Sequence, residues 1–141
     1  MNSRSIETLF SLLEVLATRP KDFFDDDKNQ RVVYSKDEQT VFCDEEKKYK
    51  VRWLVPESID KEMDPVLLTF EKEGEFKQFD PSSSETFMYV IKDRIQLVLG
   101  TQQFIALEGQ SLYFEASDHH QLLNHHVGQS QVLIVATRSY L

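Results

Sequence analysis

From Tyr49 onward, apolar and polar residues alternate with a period of two, in short segments that never run long without a turn. Tyr49, Val51, Trp53 and Val55 alternate with polar or mixed residues, and Val66 to Phe70 is a short apolar run behind Pro65. The runs Thr86 to Ile91, Arg94 to Leu99, Gln102 to Leu107, Ser111 to Phe114, His120 to Leu123 and Gln131 to Thr137 follow at close intervals. The pairs Lys92-Asp93, Gly100-Thr101, Glu108-Gly109 and Val127-Gly128 mark turns between them. Successive side chains of a strand point to opposite faces, so this pattern predicts strands with one buried face. Many short strands with tight turns predict an antiparallel sandwich or closed barrel, whose closure hides sheet edges. Val32 to Tyr34 and Thr40 to Cys43 are expected as two further early strands.

The first residues follow a different period. Ile6, Leu9, Phe10, Leu13, Leu16 and Ala17 fall on one helical face, with Ser5 as cap and Glu7 in the first turn. Pro20 predicts a second short helix through Lys21 to Phe24, and Asp25 to Asp27 reads as a hinge. The expected organisation is therefore a helical segment over residues 1–27 and an all-β domain over residues 28–141.

Composition narrows the function classes. Hydrophobic residues make up 40% and charged residues 28%, which is globular, and the net charge is −8. Such an acidic surface repels phosphate backbones, so strong DNA binding by these residues alone is not expected. The apolar run Leu9 to Ala17 is interrupted by Glu14 and lacks a cleavage site, and no uncharged stretch is long enough to span a membrane. A cytoplasmic location without membrane contact is expected. The single cysteine, Cys43, excludes an internal disulfide and reads as a reduced, half-buried thiol.

Thr86-Phe87-Met88-Tyr89-Val90-Ile91, then Ile95 to Gly100 and Phe104 to Leu107, resemble the first conserved strands of small cupins. Glu108-Gly109-Gln110-Ser111-Leu112-Tyr113-Phe114 is similar to the second cupin motif, continued by His120 and Asn124 at His-x-x-x-Asn spacing and closed by Val132 to Thr137. Upstream, Arg31-Val32-Val33, Val51 to Pro56 and Asp64 to Phe70 resemble the leading strands of a subgroup that joins a cupin to an XRE-type (Cro/repressor-like) helix-turn-helix domain. Ser5 to Leu9 and Lys21 to Phe24 resemble the last two helices of that domain, with Ala17 in place of a helix-ending glycine and Arg19 in place of a small cap.

The resemblance implies a double-stranded β-helix (jelly-roll) barrel and a transcriptional regulator whose cupin binds a small-molecule effector and forms a homodimer. DNA binding is implied only where a full helix-turn-helix domain lies upstream. The helices that would enter the major groove precede these residues, so either a longer protein carries them or they have been lost.

Cupin enzymes resemble one another in a His-x-His pair, a Glu and a second-motif His that together hold a metal. Here those positions fall on Asp80, Ser82, Thr86 and His120, and Asp93 replaces the glycine of the first turn. Hydroxyls are poor ligands beside imidazole or carboxylate, so no metal, no cofactor and no catalytic set is expected. The alternative is a metal-dependent isomerase or oxygenase using His120, Asp80 and Glu85. That needs a register in which Glu85 turns inward and Phe87 and Tyr89 reverse. Neighbouring strand residues face opposite ways, so neither the His119-His120 nor the His125-His126 pair is expected to converge on one ion; His119 reads as exposed, and His125 and His126 as exposed loop residues before Val127-Gly128. The expected ligand pocket is lined by His120, Thr86, Met88, Ser82 and Trp53.

Overall fold

The structure is a computed structural model that describes residues 31–56, 61–124, 127–137 and 141. The chain divides into two compact units, Met1–Tyr34 and Ser35–Leu141. The expected N-terminal helices, His125 and His126 lie outside the described residues. In the first unit, residues 31–34 form no strand, and the Arg31 guanidinium stands 4.7 Å over the Tyr34 ring. This corrects the expected strand at Val32 to Tyr34. Val32 and Val33 are 77% and 80% exposed, so their β-branched character has no buried face to serve.

The second unit opens with a single turn of 3-10 helix, Lys36–Glu38, held by a capping box between Ser35 and Glu38. Among the described residues, nine strands follow: β1 (Thr40–Asp44), β2 (Tyr49–Trp53), β3 (Met63–Phe70), β4 (Glu85–Lys92), β5 (Arg94–Leu99), β6 (Gln102–Leu107), β7 (Ser111–Glu115), β8 (His120–Leu123) and β9 (Ser130–Thr137). They form a six-stranded sheet in the order β1-β2-β3-β9-β4-β7 and a three-stranded sheet in the order β6-β5-β8. All the pairings are antiparallel. Among the described residues, no helix is long and apolar enough to cross a membrane.

The core lies between the two sheets. Val66, Leu68 and Phe70 of β3, Val132 and Ile134 of β9, and Met88 and Val90 of β4 pack with Ile95 and Leu97 of β5 and Leu122 of β8. Alternation fixes β4 unambiguously: Thr86, Met88 and Val90 are buried, and Glu85, Phe87, Tyr89 and Ile91 are exposed.

The turns follow local chemistry. Asp93 takes a left-handed φ of 63° where β4 passes into β5, a conformation Asp tolerates better than bulkier residues. Gly100 (φ 61°) opens the two-residue turn between β5 and β6, and an added Cβ there would collide with the Asp118 carboxylate. β3 starts earlier than the apolar run suggested and contains Pro65, opposite Val135. The Pro65 carbonyl accepts from the Leu54 N–H (3.2 Å), toward the strand edge just past the end of β2. The missing proline N–H would point the same way, so no rung of the β3–β9 ladder is lost.

Candidate functional site

The second-motif histidine sits at the start of β8. His120 is buried, and its backbone exchanges two hydrogen bonds with Phe79 (2.9 and 3.1 Å). The Phe79 ring stacks on the imidazole with centroids 5.0 Å apart, and Phe114 of β7 meets it edge-on at 5.2 Å. Phe79 meets Phe76 at 5.4 Å, and Phe76 meets Tyr49 at 4.9 Å, both edge-on. A continuous file of rings thus runs from β2 to β7 through the barrel. Burial pushes the His120 pKa below its ordinary value, and a hydrogen bond involving the Asp118 backbone pulls partly the other way. The imidazole is therefore neutral at pH 7 and aromatic in its surroundings.

Thr86 lies directly opposite Phe114, and Met88 opposite Leu112, so these two β4 side chains stand one strand away from β7. Trp53 shares a cross-strand row with Val66, Ile134 and Met88. It stands three strand spacings from Met88, about 14 Å. Trp53 packs half-buried against the core. Ser82 is half-buried and works within its loop: its N–H donates to the Ala116 carbonyl (2.7 Å), and its Oγ accepts from the Ser84 N–H (3.2 Å). The Asn124 side-chain amide donates to the carbonyls of Glu71 (3.0 Å) and Gly128 (2.9 Å), closing the loop after β3 onto the turn before β9.

The cupin metal positions do not gather in this chain. The Asp80 side chain is 96% exposed, and its carboxylate lies 3.6 Å from the exposed His119 ring. Glu85 points outward on β4, in the register that buries Thr86. Among the described residues, no three His, Cys, Asp or Glu side chains approach closely enough to hold an ion. Cys43 is exposed, which corrects the expected half-buried thiol: it lies on β1, an edge strand of the six-stranded sheet.

A well-defined cavity lies elsewhere, between β6 and β7. These consecutive strands are edge strands of different sheets and do not pair with each other. They diverge from a tight turn in which the Gln110 N–H donates to the Leu107 carbonyl (2.8 Å). That turn is pinned to β4, because Gly109 donates to Val90 (2.9 Å) and Val90 donates to Gln110 (3.0 Å). The resulting cleft encloses about 670 Å³. Leu97, Leu99, Phe104 and Ala106 form one wall, and Leu112 and Phe114 the other. Gly109, Gln110 and Ser111 line it near the turn, and Ile105 and Tyr113 stand at its outer margins. Phe114 is shared: one side lines the cleft, and its edge meets His120.

None of the five side chains expected to line a pocket lines this cleft. The sequence does carry the inward alternation of Phe104, Ala106, Leu112 and Phe114. It carries no sign that β6 and β7 part after their turn.

No protein-family model matches the chain, and no curated relative matches it. Solved structures do. The cupin domain of an XRE family transcriptional regulator from Enterobacter cloacae is similar with a TM-score of 0.57 at 12% identity, over 63% of this chain and 95% of that one. An HTH_3 family transcriptional regulator from Vibrio cholerae matches with a TM-score of 0.57 at 12% identity, over 64% of this chain. The Fe(II) form of HppE matches with a TM-score of 0.64 at 16% identity, over 75% of this chain. The chain spans 51% of the Vibrio regulator and 60% of HppE. At such identities the likeness concerns architecture, and with the strand order above it gives the chain a cupin fold, one shared by regulator domains and by enzymes.

Proposed function

We propose that this chain is the effector-sensing and dimerising cupin part of a transcriptional regulator and reads DNA only through a helix-turn-helix domain. The observation that carries this reading is the open apolar cleft between β6 and β7 in a cupin fold whose usual metal positions hold one exposed carboxylate, Asp80, two hydroxyls, Ser82 and Thr86, and a single histidine, His120. Small-molecule sites occupy about 300–1,000 Å³ and are lined mainly by apolar and aromatic side chains, as this cleft is.

A partner surface fits the dimerising role. On the outer face of the six-stranded sheet, Pro65, Val135, Phe87 and Tyr113 form one cross-strand row, and Leu67, Leu133 and Tyr89 the next. Phe87, Tyr89 and Tyr113 are exposed there. Contiguous apolar faces of this kind mark interaction sites, and two-fold homodimers are the commonest assemblies.

The metal-enzyme alternative needs several ligating side chains around His120, and the described residues supply aromatic rings instead. Metal analysis separates the two readings: near-stoichiometric iron, manganese, nickel or zinc in purified protein, lost in His120→Ala, would favour the enzyme. A thermal-shift screen of small metabolites tests the sensor, because a ligand that prefers the folded state raises its stability by mass action. Light scattering should return twice the chain mass, reduced toward one chain in Tyr89→Glu.

A further inference from the structure

The chemistry of the β6–β7 cleft narrows the class of effector. We propose that it takes an uncharged, largely apolar molecule of flat shape, with at most a few neutral hydrogen-bonding groups at its rim. This inference rests on the sensor reading above and adds the ligand's class to it.

Charge is the first argument. Charged residues make up 28% of the chain, yet among the described residues no Asp, Glu, Lys or Arg lines the cleft. An ionised ligand seated between Leu99, Phe104, Leu112 and Phe114 would lose its hydration without gaining a counter-charge, which is strongly unfavourable. The net charge of −8 further opposes anionic ligands.

Polarity is the second. Among the described residues, the side-chain hydrogen-bonding groups of the lining are those of Gln110, Ser111 and Tyr113, and Ser111 and Tyr113 share the exposed parity of β7. The Gln110 Oε1 is already engaged, accepting from the Leu107 N–H at 2.8 Å. A sugar or amino acid needs several convergent polar partners, and this lining does not supply them. Among the described residues, the two edge strands pair with no further strand along their free sides, which suits one or two neutral donors or acceptors on a ligand's rim.

Shape is the third. The walls diverge from the Leu107–Gln110 turn, so the space is a wedge, with Phe104 on one wall and Phe114 on the other. A flat ring system fills a wedge between aromatic side chains with more contact than a globular one.

The test uses the full chain and three sets of probes. N-phenyl-1-naphthylamine is neutral and flat. Naphthoate and naphthylmethylammonium carry opposite charges on a similar ring. Glucose, glutamate and spermidine represent polar metabolites. Fluorescence titration and thermal shift should show the neutral probe binding once per chain, about tenfold or more tighter than either charged analogue. Phe104→Ala, on a partly exposed side chain whose loss the fold tolerates, should weaken the neutral probe severalfold. Phe42→Ser, on the distant strand β1, controls for general stickiness and should leave it unchanged. Tighter binding of a charged or polar probe would overturn the ligand class while leaving the sensor reading standing. Neutral-probe binding that Phe104→Ala leaves intact would also overturn the assignment. Silence from every probe, in a screen extended to other metabolites, would remove both.

Discussion

The two halves of this barrel's interior have been treated differently. Around His120, where cupin enzymes resemble one another in holding a metal, the space is packed with Tyr49, Phe76, Phe79 and Phe114 in ring-to-ring contact. One strand further on, between β6 and β7, the walls are equally apolar but do not meet, and a cleft of about 670 Å³ remains. The difference is topological. The packed half is closed by strands that pair across β3, β9 and β4, while the open half lies where the chain turns from one sheet to the other without pairing. Apolar composition alone therefore does not decide whether a barrel interior is core or pocket. Strand pairing around it does.

Truncations on the two sides should separate core from pocket most sharply. Phe76 is 2% exposed and contacts rings on both sides. Phe76→Ala should cost about 3–5 kcal/mol, because it removes buried area and leaves a cavity. Phe104→Ala, on a side chain 43% exposed in the cleft wall, should cost under about 1 kcal/mol. Urea unfolding midpoints compare the two directly. Equal losses would mean that the cleft is not open in solution.

Asn124 tests the polar seam of the packed half. It is fully buried, and its amide satisfies two backbone carbonyls from separate loops. Asn124→Ala leaves both carbonyls without that donor and should destabilise by about 2 kcal/mol. If Asn124 served a ligand instead, the loss would fall on binding and leave stability nearly unchanged.

The turns sharpen the contrast at lower cost. Gly100 and Gly109 both have positive φ, but only Gly100 has a neighbour, the Asp118 carboxylate, where a Cβ would go. Gly109→Ala should cost about 1 kcal/mol for its conformation alone. Gly100→Ala should cost more, about 2 kcal/mol, with part of the excess recovered in the double variant with Asp118→Ala. Thermal unfolding of the wild type, Gly100→Ala, Asp118→Ala and the double variant gives the coupling.

Much of the fold was legible in the sequence because the strands alternate cleanly. β5 and β6 have the bounds that their alternation and the Gly100-Thr101 turn imply, and the burial of Thr86, Met88 and Val90 follows from the parity of β4. The errors have physical causes. Val32 and Val33 are β-branched, but strand propensity needs a partner and a buried face, and these residues lie outside the strands and are exposed. Pro65 looked like a boundary because proline donates nothing, yet its empty side faces past the end of β2. The His-x-x-x-Asn spacing drew attention to His120, but spacing along a strand says nothing about which rings arrive from other strands. The cleft was hidden for the same reason: its walls come from β5, β6 and β7, and whether β6 and β7 meet depends on pairings with β4 and β5.

The smallest effect expected is a pH dependence, and it probes the packed half from within. Burial lowers the His120 pKa in the folded state below its ordinary value near 6.5. As pH falls through that value, the unfolded chain takes up a proton that the folded chain refuses, so stability is full above about pH 6.5 and declines below it. The decline levels off once the pH passes below the folded-state pKa. In His120→Phe the ring contacts with Phe79 and Phe114 have an apolar substitute and the titration is gone, so the fall in unfolding midpoint between pH 7.5 and 5.5 should be shallower than in the wild type. His119→Gln, on the exposed neighbour, controls for the loss of an imidazole. If His120→Phe keeps the full slope, the imidazole is solvated, and the file of rings around it does not close that half of the barrel.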